Sequence, residues 1–148
     1  MIYDLDWSNL QKEIDDTVIS EIETELYVKF PKSYIDFIKV YHGASPTPNI
    51  IKFHGETETI KSFLSMDRDN ENFIIQVYKE NRELLPDDVI PIALTDCIDL
   101  ICFDYRKGRS IEPSVVYWNF EFAIENYNKS VYPICKNLEM LFDLFYKY

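Results

Sequence analysis

The run from Val89 to Glu121, V-I-P-I-A-L-T-D-C-I-D-L-I-C-F-D-Y-R-K-G-R-S-I-E-P-S-V-V-Y-W-N-F-E, leaves this chain the least freedom in how to fold. From Leu100 to Tyr105 the residues alternate, with Ile101, Phe103 and Tyr105 on one side and Leu100, Cys102 and Asp104 on the other. The R-K-G-R that follows is a polar turn region, and Ser114 to Trp118 returns as the antiparallel partner. Val89 to Leu94 supplies another strand, whose Pro91 fits an edge position or a bulge. A sheet this apolar needs helices to cover it.

The rest of the chain offers that cover. A short helix is expected near Ser8 to Ile14. Asp16 or Thr17 then caps a firmer helix to about Leu26, with Val18, Ile19, Ile22 and Leu26 on one face. After the extended link Y-V-K-F, Pro31 starts a second helix, and Tyr34, Phe37, Ile38 and Tyr41 repeat at helical spacing until Gly43 stops it. The patch G-A-S-P-T-P-N is too rich in proline for regular structure. Ile50 to Phe53 and Thr59 to Leu64 read as strands. A helix is expected from Asp67–Asn72 to Pro86, with Ile74, Val77, Tyr78 and Leu85 near one face, and a closing helix from about Cys135 to Lys147. Tyr127 to Pro133 is ambiguous. Helices, then short strands, then a closing helix give an α+β fold with an antiparallel sheet. Residues 1–148 are read as one domain, of a size that buries roughly 70% of its unfolded surface.

Charge narrows the classes of function. With 26 acidic and 15 basic residues the net charge is −11, a field that repels phosphate backbones and anionic lipid. Direct nucleic-acid and membrane binding are therefore disfavoured. The same field either keeps the surface soluble or attracts a basic partner. Cys97, Cys102 and Cys135 lack metal spacing and are odd in number, so buried, reduced thiols are expected rather than disulfides or zinc. The N-terminus has no signal-peptide pattern and no apolar run reaches a membrane span, which fits the cytoplasm.

No recognisable catalytic motif is present. Three glycines, Gly43, Gly55 and Gly108, cannot build a phosphate-binding loop or a dinucleotide fingerprint. His42, at a helix end, fits a cation favoured by the helix dipole better than a catalytic base. Asp96 with Asp99, or Asp104 with Glu121, could flank a substrate or hold a divalent cation, but charge at strand ends explains them as well. Tyr105, Tyr117, Trp118 and Phe120 lie on paired strands, where alternation either buries them all or turns some outward as interface anchors.

Two blocks carry a family resemblance. Ile19 to Gly43 resembles the opening pattern of the SUKH superfamily (Smi/Knr-type) domain, with Glu23, Leu26, Pro31, Tyr34, Phe37 and Gly43 at matching positions. Ile90, Ala93, Asp99, Asp104, Val116 and Trp118 are similar to its central sheet, and Leu138 and Phe142 to its closing helix. The chain departs from the pattern at Cys97 and Ile98, at Phe120, and at His42-Gly43-Ala44. The resemblance implies an α+β domain whose central antiparallel sheet packs against N-terminal helices and a C-terminal helix. It also implies no catalysis, no cofactor and no metal. Many bacterial members are immunity proteins that bind and neutralise a cognate polymorphic toxin, often a nuclease. The expected partner is then a basic toxin domain, met by a monomer or weak dimer. Charge and position on the sheet, not the resemblance, single out Asp96, Asp99, Asp104, Tyr105, Trp118 and Glu121 as its contacts. The alternative is a regulatory or scaffold module that binds an endogenous protein.

Overall fold

The computed structural model describes residues 2–146. Six strands form one antiparallel meander in chain order: β3 (Ile50–Phe53), β4 (Glu56–Phe63), β5 (Val89–Thr95), β6 (Leu100–Asp104), β7 (Ser114–Trp118) and β8 (Val131–Cys135). A separate two-stranded piece joins β1 (Asp6–Ser8) to β2 (Ser45–Thr47). The helices are α1 (Asp16–Leu26), α2 (Lys32–Tyr41), α3 (Ile74–Asn81), α4 (Phe120–Asn126) and α5 (Leu138–Phe142). This is the α+β architecture expected from the strand and helix patterns.

Both faces of the central strands are buried. Register sets Ile101 opposite Tyr117 and Phe103 opposite Val115 on one face, and Leu100 opposite Trp118 and Cys102 opposite Val116 on the other. The first face meets α2 and α5: the Tyr34 ring stands edge-on to Phe103 at 5.0 Å, and Phe37 and Phe142 meet at 5.2 Å. The second face is closed by the chain after α3, where the Trp118 indole N–H donates to the Leu84 carbonyl at 3.1 Å. A fully buried aromatic of this size stabilises a fold by roughly 1.5–3 kcal/mol.

The sheet is strongly coiled. Four strand spacings in a flat sheet would separate β3 from β7 by roughly 19 Å. Yet the rings of Phe53 on β3 and Tyr117 on β7 lie 6.2 Å apart. The hairpin of β3 and β4 thus folds back over the far strands. The outer edge of β3 is also covered, because Lys52 N–H donates to the Leu144 carbonyl and Tyr146 N–H to the Ile50 carbonyl, each at 3.1 Å. That leaves less open edge for unwanted strand pairing.

Several local expectations are corrected. No helix forms at Ser8–Ile14: Asp6–Ser8 is a strand, and it pairs with the proline-dense patch, which is itself strand β2. A two-stranded sheet consists of edges only, where proline is tolerated. The α1 cap is Asp15, whose carboxylate accepts from Thr17 and Val18 N–H. Asp67 and Asn70 accept from Asp69 and Asn72 N–H, and these local turns hold the chain out of a helix until Ile74. That helix ends at Asn81, ahead of Pro86. Pro91 lies in a central strand at a register shift, so the bulge alternative holds and the edge alternative does not. The closing helix spans only Leu138–Phe142, since the chain then turns to run beside β3; Lys147 lies outside the described residues.

Candidate functional site

Chain geometry gathers polar residues at one end of the sheet. His54 and Gly55 take φ of 50° and 79°, the left-handed pair that a two-residue hairpin turn requires. This tight turn sets Phe53 opposite Glu56 and starts β4 with E-T-E-T, so Glu56 and Glu58 share a face. Across from them the β5–β6 connection is pinned by Thr95: its hydroxyl oxygen accepts from Cys97 N–H at 3.3 Å, and its O–H donates to the Asp99 carbonyl at 2.8 Å. Asp96 and Ile98 project into solvent from that turn.

Asp99 is the hub. Its Oδ2 accepts from the Tyr117 hydroxyl at 2.5 Å, and its Oδ1 accepts from Phe120 N–H at 2.9 Å, in the first turn of α4. Asn119 Oδ1 accepts from Phe122 N–H at 2.9 Å, which caps the same helix and fixes Phe122 on the surface. The Tyr117 ring stacks on Tyr132 of β8 at 5.1 Å. Beside them an open groove of about 620 Å³ is lined by Phe53, His54, Glu56, Asn119, Phe122, Tyr132 and Pro133.

Electrostatics here are one-sided. Burial, together with the charge of Asp99, pushes the Glu58 carboxyl above its usual range, against a partial offset from the neighbouring Tyr117 hydroxyl; Glu56 and Asp96 add to the rise. Burial and then the bond to Asp99 push the Tyr117 phenol strongly upward. Burial also lifts Tyr132 to about 12, despite its hydrogen bond with Asn119. Among the described residues no lysine or arginine pairs with Glu56, Glu58, Asp96 or Asp99.

The six residues singled out from sequence do not lie together. Asp96, Asp99 and Glu121 belong to the end just described. Asp104 and Tyr105 lie at the opposite end, since Asp104 pairs with Ser114 while Leu100 pairs with Trp118. Asp104 is taken up by Arg106, whose Nε and Nη2 donate to its two oxygens at 2.9 Å. Burial alone would raise this carboxyl, but the Arg106 side chain and N–H outweigh it and hold it low. The suggested pairing of Asp104 with Glu121 is therefore not formed.

The expectation that Tyr105 and Trp118 turn outward is also corrected. Tyr105 is 1% exposed, with its hydroxyl donating to the Lys29 carbonyl at 2.9 Å, and Trp118 is 0% exposed. Because both faces of the sheet are covered, alternation has no solvent side to offer here.

His42 is no surface cation. It is 1% exposed, its Nδ1 accepts from Met66 N–H at 3.0 Å, and its Nε2 donates to the Lys12 carbonyl at 2.7 Å. Both nitrogens are therefore engaged in structure. Cys97 departs from the expected buried thiols by being exposed, whereas Cys102 is buried and Cys135 half-buried. No group of three or more His, Cys, Asp or Glu suited to a metal ion occurs among the described residues.

Glu56, Glu58, Phe122 and Tyr132 escaped the sequence reading. Glu56 and Glu58 have a visible signal, the alternation E-T-E-T, but they fall just ahead of the strand expected from Thr59 to Leu64, which in fact begins at Glu56; Phe122 and Tyr132 have none. A model of the SMI1 / KNR4 family (SUKH-1) matches residues 13–144 of the chain. A search of curated proteins gave no match.

Proposed function

Because this chain belongs to the SMI1 / KNR4 family (SUKH-1), we propose that it is an immunity protein that binds a cognate polymorphic toxin domain and neutralises it by stoichiometric occlusion. The toxin domain is basic, of the kind that engages nucleic acid, and the binder works in the cytoplasm without catalysis or cofactor. The observation that carries this reading is the acidic end of the sheet. Four carboxylates, Glu56, Glu58, Asp96 and Asp99, gather there with no lysine or arginine partner among the described residues, on a chain of net charge −11. An uncompensated field of this kind favours capture of a positive surface and speeds the encounter. No helix among the described residues is long and apolar enough to cross a membrane.

The test is co-expression with toxin domains, beginning with the reading frame next to this one. Survival is expected only when this chain reaches equimolar amounts, and the purified pair is expected to associate more slowly as salt rises. Protection by trace amounts would point to catalysis instead. Failure to rescue cells from any such domain would leave the regulatory-module reading in its place.

A further inference from the structure

We propose that the groove between the β3–β4 hairpin, α4 and β8 is the docking surface for the toxin, and that its occupant is an arginine side chain from a basic loop of that partner. The inference rests on the immunity reading and says where and how it acts.

Three features point to a guanidinium. The first is charge. Other grooves on the surface contain their own cations: Arg68 lies among Asp16, Glu21 and Glu25, while Lys29 and Arg109 lie beside Glu23. The groove at the hairpin end has no lysine or arginine in its lining and has Glu56 at its rim. The second is the donor count. Tyr117 has one phenolic proton and directs it to Asp99, so Glu58, facing the same hydroxyl, lacks a full donor. These two carboxylates do not line the groove but adjoin it behind the Tyr132 ring, on which Tyr117 stacks at 5.1 Å. With Glu56 in the lining they form an acceptor set for a donor with several N–H groups, and arginine presents five in a fixed plane. The third is the walls. Phe53, Tyr132 and the half-exposed Phe122 line the groove, and a guanidinium stacks on such faces where a compact ammonium gains less.

The site is also sensitive to acid. Glu56, Asp96, Asp99, Tyr117 and Tyr132 surround Glu58 from β4, the β5–β6 turn, β7 and β8, and His54 lies in the lining of the adjoining groove. Protonated Glu58 needs no cation, whereas ionised Glu58 is an acceptor that a guanidinium can serve. Affinity for the cation is therefore expected to rise with pH as Glu58 ionises.

A hexa-arginine peptide, with hexa-lysine as the charge-matched control, probes the groove directly. In a nitrogen-15 NMR titration the amides of Asp99, Tyr117, Phe120 and Tyr132 should shift, and more with arginine than with lysine. Charge reversal by Glu56→Lys with Glu58→Lys should weaken hexa-arginine binding by about tenfold or more. The same net change made on α1 by Glu21→Lys with Glu25→Lys should weaken it less than about threefold, as expected of general screening alone. Phe122→Ala, at an exposed position that leaves the core intact, supplies a folded variant and should cost about threefold by loss of stacking. Shifts spread over the whole acidic surface, or equal losses in the two double variants, would overturn the proposal. Protection in cells separates the two readings. Rescue that survives the groove variants sinks the groove and leaves immunity standing, whereas absence of rescue by the wild type sinks immunity while the peptide titration still decides the groove.

Discussion

Strand β6 ends in a carboxylate region on both sides, and the two ends have been treated differently. At the Asp104 end the carboxylates of Asp104 and Asp88 are answered from within. Arg106 grips Asp104, Arg109 reaches Asp88 at 2.9 Å and lies over the Tyr27 ring, and Tyr105 ties the sheet to the link between α1 and α2. At the Asp99 end the answer to charge is a tyrosine hydroxyl and a backbone N–H. One end is a finished structural joint. The other holds like charges close together, which has a cost in the free protein that an incoming cation relieves.

The first way to test this contrast is to confirm that the large aromatic at the Asp99 end belongs to the scaffold. Trp118→Ala should destabilise the fold by about 3–5 kcal/mol, read from the urea midpoint with an unchanged slope. A loss below about 1 kcal/mol would mean the indole is not the packed core residue described above. Tyr117→Phe should rank next, at about 1.5–3 kcal/mol, because it removes a hydrogen bond to a carboxylate. Tyr105→Phe, which removes a neutral bond to an exposed-loop carbonyl, should cost about 1 kcal/mol. If the two phenol deletions were equal, the claim that the ends differ in electrostatic character would fail.

The smallest effects carry opposite signs with pH. Asp104 is held low in the folded state, so its contribution is present above the unfolded aspartate range near ~3.9 and is lost as pH falls through the lower folded value. Glu58 is held high, so its contribution is present below the unfolded glutamate range near ~4.3 and is lost as pH rises through the higher folded value. Asp104→Asn should therefore flatten the acid limb of the stability profile, and Glu58→Gln should remove a decline on the other side of it. Glu58 is partly solvent-screened, and Asp104, itself mostly covered, is answered by a half-exposed arginine, so each change should stay at about 1 kcal/mol or less. Denaturant titrations from pH 3 to pH 7 would show both; a common sign for the two variants would contradict the assignment.

What sequence could show follows from how local each signal is. The spacing of Tyr34, Phe37, Ile38 and Tyr41 reports a helix because the information lies within two turns, and the alternation of β6 and β7 reports a hairpin for the same reason. Strand β2 was hidden because its partner β1 lies far away in sequence and its prolines argue against pairing. The Asp67–Asn72 segment looked like a helix start, and only the closed side-chain turns of Asp67 and Asn70 show otherwise. The family emerged from residues that are mostly core, such as Ile90, Ala93 and Trp118. The candidate site did not emerge in the same way: Asp99, Tyr117 and Tyr132 are neighbours through the β6–β7–β8 ladder, whereas Glu58 on β4 is three strands from Tyr117 and reaches it because the sheet coils. Asp96, Asp99 and Glu121 were singled out through their charge and share one end of the sheet, whereas Tyr105 and Trp118 were assigned to the surface by an alternation rule that a doubly covered sheet does not obey.

The exposure of Cys97 has a practical consequence. Burial pushes the Cys102 thiol well above its usual range and lifts Cys135 to about 11, so at neutral pH neither supplies much of the reactive thiolate. Cys97 sits in solvent on the β5–β6 turn, close enough to Tyr117 to influence its ionisation. A maleimide dye added to the unaltered protein should therefore mark this turn first, and its emission would follow occupancy of the neighbouring groove in real time.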